Sequence, residues 1–362
     1  MKRILIIKLW ALGDILMATP LLTALKAQFP ECEVTWLADS SHANILRYQP
    51  LIDDLIRFDS GRWRRLLRKC HLLQWQREAR QLRTQLKQRQ FDAVINCHPE
   101  KWWTRILCAS AVRIGLFPSQ QLPLMRLLYT TALSKLPNLH NTSHYLRALE
   151  ALGLPGPFDR HMRLHLSSED REAARAFLGD DPNYRPELPT IILHPGTSQP
   201  SKCWPADSFA VLAGVLTEYN IVITGSLGEQ SLAEAIAAAM PETAPRPVIA
   251  AGRLSSITAT AALVERAAGV VTGDTSILHI ASALGTPFVG IFGSSRPGDN
   301  EPLFGPHVLL FDDEVSCAPC YREHCPLSGN DILKCQKAIT PNRVFTALTT
   351  LLKETHERSS AA

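Results

Sequence analysis

The stretch from Ile191 to Pro205, IILHPGTSQPSKCWP, constrains the fold more than any other part of the chain. Ile191, Ile192 and Leu193 form a short apolar run of the kind buried in a parallel sheet. Pro195-Gly196 breaks the run, and Thr197, Ser198 and Lys202 follow. Trp204-Pro205 then leads into a helical pattern from Ala206, with Pro205 suited to a first helical turn. Strand, polar loop and helix start succeed one another. In open α/β sheets ligands bind at the carboxyl ends of strands. Backbone N–H groups, small hydroxyls and a lysine at a helix N-terminus suit a phosphate. The same loop also reads as an ordinary connection carrying a solvated lysine.

The pattern repeats along the chain. Arg3–Lys8, Glu33–Leu37, Leu55–Phe58 and Asp92–Asn96 read as strands, and Ile15–Phe29 and Thr142–Leu152 as helices, with Arg163–Leu166 as a late strand. A second series has strands at Thr190–Leu193, Ile221–Thr224, Val248–Ala250, Gly269–Thr272 and Pro287–Phe292. Its helices are near Ala206–Leu216, Gln230–Ala239, Ile257–Ala267 and Ile277–Leu284. Between the series, GDDPNYRPELP (Gly179–Pro189) has the composition of a linker. The expected architecture is therefore α/β, with two doubly wound domains, 1–180 and 181–340, facing each other across a cleft. The tail, 341–362, reads as a helix that could return to the first domain.

At 362 residues the chain is long enough for two such domains, and its 46% hydrophobic and 20% charged content is that of a globular protein. The N-terminus, MKRILIIKLWALGDILMATPLL, superficially resembles a signal peptide, but Lys8 and Asp14 interrupt it. A cytoplasmic location is the expectation, and the nine cysteines are then thiols or metal ligands rather than disulfides. No oligomeric state follows from the sequence.

Several residues stand where chemistry could occur. Asp14 follows Gly13 at the end of the first strand. Its carboxylate could serve the helix N-terminus or act as a general base. In IVITGSLGE (Ile221–Glu229), Gly225 and Gly228 permit close backbone approach. Glu229 could accept hydrogen bonds from a ribose diol or supply an N-terminal helix charge. In GVVTGDTSILH (Gly269–His279), Asp274 could hold sugar hydroxyls, and Thr275 and Ser276 are candidate caps. His279 lies in the following helix, where a lone histidine is more often structural. No GxGxxG follows a strand and no GxxxxGK[ST] is present, which removes the main support for dinucleotide-oxidoreductase and P-loop readings.

From Arg62 to Arg89 the chain carries ten Lys/Arg, among them Arg62, Arg64 and Arg65, against the single acid Glu78, with leucines interspersed in an amphipathic helical pattern. Charge runs are usually solvated faces, but this imbalance favours an anionic partner, either a membrane surface or an acidic glycolipid. Nucleic acid is not expected, because no recognisable binding module is present. Cys317, Cys320, Cys325 and Cys335 form C-x2-C-x4-C-x9-C. The first pair resembles a metal knuckle, and four thiolates could hold a structural zinc or iron, although the later spacings are not a standard zinc pattern.

Taken together, IIKLWALGDILMATPLL, HPGTSQPSKCWP and GDTSILHIASALGTPFVGIFGSSRPG resemble glycosyltransferase family 9, the ADP-heptose:lipopolysaccharide heptosyltransferases, in order and spacing over nearly the whole chain. The resemblance implies a GT-B fold of two Rossmann-like domains, the first binding the acceptor and the second an ADP-sugar donor, with inverting transfer and no cofactor. Asp14 matches the family's catalytic base. Thr197, Ser198 and Lys202 match its diphosphate loop, Glu229 its ribose contact and Asp274 its contact to the donor heptose. Gly252 and Leu254 fall at the adenine pocket, with Thr275, Ser276 and His279 on the donor side. Arg62, Arg64, Arg65, Lys101 and Arg105 are the candidates for an anionic glycolipid acceptor at the inner membrane surface. The cysteine cluster also looks like one found in family members, including a group that modifies autotransporter proteins and carries iron on such a motif. Two positions depart from the pattern. Cys203 occupies the variable place of S-K-x-W-P, and Ser276 stands for the usual glycine of D-T-G, narrowing the space beside the donor phosphate. A protein acceptor, another ADP-sugar, or a non-catalytic nucleotide-sugar or glycolipid binder are the alternatives.

Overall fold

A computed structural model describes residues 1–99, 101–108, 110–117, 127–298 and 300–361. They form two compact units, Met1–His165 and Leu166–Ala362.

The first unit contains one parallel sheet of six strands: β1 (Arg3–Ile7), β2 (Glu33–Asp39), β3 (Asp54–Phe58), β4 (Ala93–Asn96), β5 (Val112–Phe117) and β6 (Thr131–Ser134), in the order β3-β2-β1-β4-β5-β6. Its helices are α1 (Leu12–Ala18), α2 (Pro20–Gln28), α3 (Ser60–Arg68), α4 (Leu72–Gln88) and α5 (Asn141–Glu150). The run Ile4–Ile7 is wholly buried, as expected of a central strand covered on both faces. Leu5, Ile7, Leu37 and Val94 join the aromatic rings of Phe58, Trp63 and Trp103 in one core, with Phe58 and Trp63 edge to face at 4.7 Å.

The second unit repeats the arrangement. Strands β7 (Thr190–His194), β8 (Asn220–Ile223), β9 (Val248–Ile249), β10 (Gly269–Gly273), β11 (Phe288–Ile291) and β12 (His307–Leu310) lie in the order β12-β11-β10-β7-β8-β9, again all parallel. Counted from its own first strand, each sheet has the order 3-2-1-4-5-6. The helices are α6 (Ser168–Gly179), α7 (Ala206–Val215), α8 (Gln230–Ala239), α9 (Ile257–Arg266), α10 (Ser276–Leu284), α11 (Lys334–Lys337) and α12 (Pro341–Ala361). In this order the direction in which successive strands are added reverses between strands one and four, which opens a crevice at their carboxyl ends. The crevices lie at β1/β4 and at β7/β10. Ile7 stands opposite Asn96, and His194 opposite Thr272, so the loops of each pair leave the sheet side by side.

Several sequence expectations need correction. The helix read over Ile15–Phe29 is two helices: Pro20 lacks an N–H and starts α2, while the Thr19 hydroxyl donates to Leu16 O at 2.7 Å. The basic stretch is likewise two helices, parted where Cys70 takes a positive φ of 55°. Arg163–Leu166 joins neither sheet, although Met162, Leu164 and Leu166 are buried in alternation. β5, β6 and β12 were not anticipated. The unit boundary falls at His165/Leu166 rather than at 180/181, because α6 is fastened to α9. Arg171 pairs with Glu265 at 2.7 Å, and Thr258 donates to Asp170 at 2.7 Å. The Pro-rich segment after α6 is not a free linker. The buried Asn220 side chain accepts from Arg185 N at 2.9 Å and donates to Arg185 O and Leu188 O at 2.7 and 2.8 Å. The C-terminal helix α12 belongs to the second unit, with Val344, Leu348 and Leu351 in that unit's core. Among the described residues no helix is long and apolar enough to cross a membrane.

Candidate functional site

At the first crevice, Lys8 leaves the end of β1 with a side chain only 3% exposed. A buried ammonium requires a counter-charge. Asp14, third residue of α1, supplies it: Lys8 Nζ lies 3.2 Å from Asp14 Oδ2, and 5.3 Å from the centre of the Tyr145 ring. The Asp14 side chain remains 34% exposed, so one carboxylate both anchors Lys8 and stays open to a ligand. The N-cap position of α1 is held by Ala11, which offers no side-chain bond.

Across the crevice, the loop after β4 carries His98, whose ring packs on Trp10 with centroids 4.6 Å apart. Beneath it lies a polar network. Asn96 Oδ1 accepts from His98 N at 2.9 Å, and Asn96 Nδ2 donates to Tyr129 Oη at 2.7 Å and to Thr104 Oγ1 at 3.0 Å. Burial pushes the Cys108 thiol beside it up to about 12 and raises the Tyr129 hydroxyl as well, so both act as neutral partners.

Next to Trp10 is a cavity of about 530 Å3 lined by residues including Asp39, Ser41, Ser60, Arg64 and Arg65. Burial alone would raise the Asp39 pKa. Bonds from Ser41 Oγ (2.5 Å), Ser41 N (3.0 Å), Ser60 N (3.1 Å) and Ser60 Oγ outweigh it and hold the group below the ordinary carboxylate value. Arg64 lies over Trp10, with Cζ 5.7 Å from the ring centre. Arg62 does not line this cavity. It grips Glu78 through Nε and a terminal nitrogen at 3.1 and 2.7 Å. Lys101 and Arg105 lie on the segment after β4, Lys101 exposed and Arg105 half-buried.

At the second crevice the loops after β7 and β10 meet. Lys202 Nζ contacts Asp274 Oδ2 at 2.5 Å, and Ser295 Oγ donates to the same oxygen at 2.7 Å. Thr197 Oγ1 folds its own loop, donating to Gln199 O at 2.7 Å and accepting from Gln199 N at 3.0 Å. Ser198 is exposed at the loop tip. Thr275 is the N-cap residue of α10, but its hydroxyl pairs with Thr272 Oγ1 at 3.0 Å and makes no capping bond. Ser276 begins the helix, half-buried. His279 is buried within α10, the place of a structural histidine. Burial pushes His194, at the end of β7, down to about 4 against the pull of the Glu229 charge, so Lys202 is the cation of this loop. Burial also raises the Cys203 thiol.

Glu229 forms a reciprocal cap with Ser226: its Oε2 accepts from Ser226 N at 2.6 Å and from Ser226 Oγ at 2.8 Å. The carboxylate lies over Gly196, where a side-chain carbon would come within 2.0 Å of Oε1. Beside it, Gly252 has a φ of +71°, and its face abuts Leu227, which is strongly exposed; Leu254 is half-buried nearby in sequence.

All nine cysteines are free. Among the described residues no group of three or more His, Cys, Asp or Glu is arranged to hold a metal ion. Burial raises the Cys335 thiol, and Cys317, Cys320 and Cys325 push it the same way. Leu333 N donates to Cys325 Sγ at 3.3 Å. No step below is assigned to a metal.

Sequence reasoning missed Lys8 as the partner of Asp14, and also Trp10, His98, Asp39, Leu227 and Ser295. Lys8 carried a signal, being a charge at the end of an otherwise apolar strand. The others become visible only when distant loops are brought together.

The profile of glycosyltransferase family 9 (heptosyltransferase) matches residues 79–330. Lipopolysaccharide heptosyltransferase 1 of Pseudomonas aeruginosa is 26% identical over 371 aligned residues, covering 97% of this chain and 98% of that protein. The structure of a family 9 glycosyl transferase from Veillonella parvula DSM 2008 superposes with a TM-score of 0.79 at 23% identity, covering 98% and 97% of the two chains. E. coli ADP-heptose lps heptosyltransferase II gives 0.75 at 22%, covering 98% and 100%. At these identities the structural likeness is one of fold, and the fold is GT-B.

Proposed function

The chain belongs to glycosyltransferase family 9, and from that premise we propose that it moves a heptosyl group from ADP-L-glycero-D-manno-heptose to an acidic inner-core sugar of lipopolysaccharide. One observation carries the reading. In a chain matched end to end by a lipopolysaccharide heptosyltransferase, Lys202 and Asp274 meet at 2.5 Å at the switch point of the second sheet. A lysine there can face a diphosphate, and an aspartate there can hold the hydroxyls of the attached sugar.

Asp14 accepts the proton of the acceptor hydroxyl as that oxygen bonds to the anomeric carbon. The bond from that carbon to the β-phosphate oxygen breaks on the opposite face, and ADP departs with the electron pair, inverting the configuration. A positioned base of this kind contributes roughly 10²–10⁴-fold. Lys8 fixes the orientation of Asp14 through the 3.2 Å contact. Lys202, the loop hydroxyls of Thr197 and Ser198, and the N–H groups opening α10 offset the charge that grows on ADP. Glu229 takes the ribose hydroxyls, and Gly252 with Leu227 and Leu254 flanks the adenine. Arg64 and Arg65 meet the anionic groups of the acceptor, with Lys101 and Arg105 further along the same unit. An amphiphilic acceptor supports a reading in which the enzyme works in the cytoplasm at the inner membrane surface.

The test is ADP release from ADP-heptose with and without a heptose-deficient lipopolysaccharide core. Release that requires the core is the expected result. Tight ADP binding with no core-dependent release would remove the proposed reaction.

A further inference from the structure

Helix α4 has two faces with the same spacing. Trp75, Ala79, Leu82 and Leu86 turn inward onto the first core. Leu73, Arg77, Arg80 and Thr84 lie along the exposed outer side. At the tip, where α3 hands over to α4, Leu72 is 52% and Leu73 84% exposed, separated by Cys70 and His71 from the exposed Arg68 and Lys69. The single acid of the stretch, Glu78, is already neutralised by Arg62. Arg68, Lys69, Arg77, Arg80, Arg83 and Lys87 have no carboxylate partner among the described residues.

From this juxtaposition we infer that the α3–α4 tip docks the enzyme on an anionic phospholipid bilayer, the two leucines entering the interface while the flanking cations sit among the headgroups. The complementarity is two-fold. Unpaired cations attract a negative surface, and adjacent exposed leucines gain only if something apolar receives them. A nucleic acid would satisfy the cations and leave both leucines in water. The inference concerns where the enzyme sits and does not depend on which sugar it transfers.

The experiment is co-sedimentation of the full chain with phosphatidylethanolamine–phosphatidylglycerol vesicles and, separately, with pure phosphatidylcholine vesicles, no substrate being present. The wild type is expected to bind the anionic vesicles alone, less as salt is raised. Arg77→Gln/Arg80→Gln should weaken partitioning by roughly fivefold per cation. Leu72→Ser/Leu73→Ser should weaken it by about tenfold or more. Because these side chains are exposed, urea midpoints should not move. Turnover on a deacylated, water-soluble acceptor should also hold, while turnover on acceptor embedded in vesicles falls. Equal binding to both vesicle types, or variants that partition like the wild type, would overturn the inference. So would retention on RNA without vesicle binding, which would identify a polyanion site instead.

Discussion

Glu229 serves a helix cap in this structure and a ribose in the proposed reaction, and Gly196→Ala separates the two roles. The backbone at Gly196 does not lie in the left-handed region, so alanine acts through contact alone. Its Cβ would stand 2.0 Å from Glu229 Oε1, 2.1 Å from Cδ and 2.6 Å from Oε2. Non-bonded atoms settle at about 3.5 Å, so the carboxylate must retreat by roughly 1.5 Å. That breaks the 2.6 and 2.8 Å bonds to Ser226. The group displaced is the end of a flexible side chain, so the fold should survive, at a cost of about 1 kcal/mol for the lost cap. If Glu229 also accepts from the ribose diol, a further about 1.5–3 kcal/mol of charged hydrogen bonding is lost, and ADP binds about 10- to 100-fold more weakly. Calorimetric titration with ADP and urea denaturation read the two effects separately, with Glu229→Ala as a companion. An ADP Kd within twofold of wild type in both variants, alongside the expected stability loss, would leave Glu229 a cap and nothing more.

Three other outcomes follow from the same geometry. Asp14→Asn should lower single-turnover transfer by about 10²–10⁴-fold while leaving ADP affinity intact, and turnover close to wild type would remove Asp14 from the mechanism. Lys202→Met should lower kcat/KM by roughly 10²–10³-fold, because charge on the leaving diphosphate loses its nearest cation; an effect below threefold in steady-state kinetics would contradict that role. His144 is buried and its pKa is pushed down to about 4, first by burial and then by Arg147, Lys135 and Lys8. The folded protein keeps the ring neutral while the unfolded chain takes up a proton near the ordinary value. Stability from this group is therefore intact above pH 6.5 and falls toward pH 4, by up to about 3 kcal/mol. His144→Gln should lack that slope, so urea midpoints of the two proteins should converge as pH drops from 7.5 to 5, and parallel curves would count against it.

The second sheet was the more legible half of the sequence. Four of its strands are apolar runs ended by glycine, proline or a hydroxyl, and Gln230–Ala239 emerges as a helix with the expected ends. Strands whose burial comes from context were not legible. Thr131–Ser134 is a half-polar edge, His307–Leu310 is only four residues long, and Val112–Phe117 carries an arginine and a glycine. The reverse error has the same root: alternation at Met162–Leu166 marks a buried extended segment, but pairing needs a neighbour that the sequence does not name. Gly179–Pro189 misled because its composition is that of a loop, whereas one distant amide, Asn220, holds it in place. Spacing put Asp14, Lys202, Glu229 and Asp274 at strand-to-helix connections, and the structure has them there. Lys8 with Asp14 is a contact within one connection, six residues apart, whereas His98 on Trp10 and Ser295 on Asp274 arise from loops whose nearness is set by strand order.

That strand order occurs twice, and each copy carries its own crevice and its own set of bonded side chains. Asp14 and Asp39 bond to Lys8 and Ser60 within the first unit, and Asp274 and Glu229 to Lys202 and Ser226 within the second. Effects of substitutions in the two sets on stability should therefore combine additively in free energy. Inheritance of this fold can then proceed by halves: a lineage can alter what it glycosylates one residue at a time while its sugar supply stays the same.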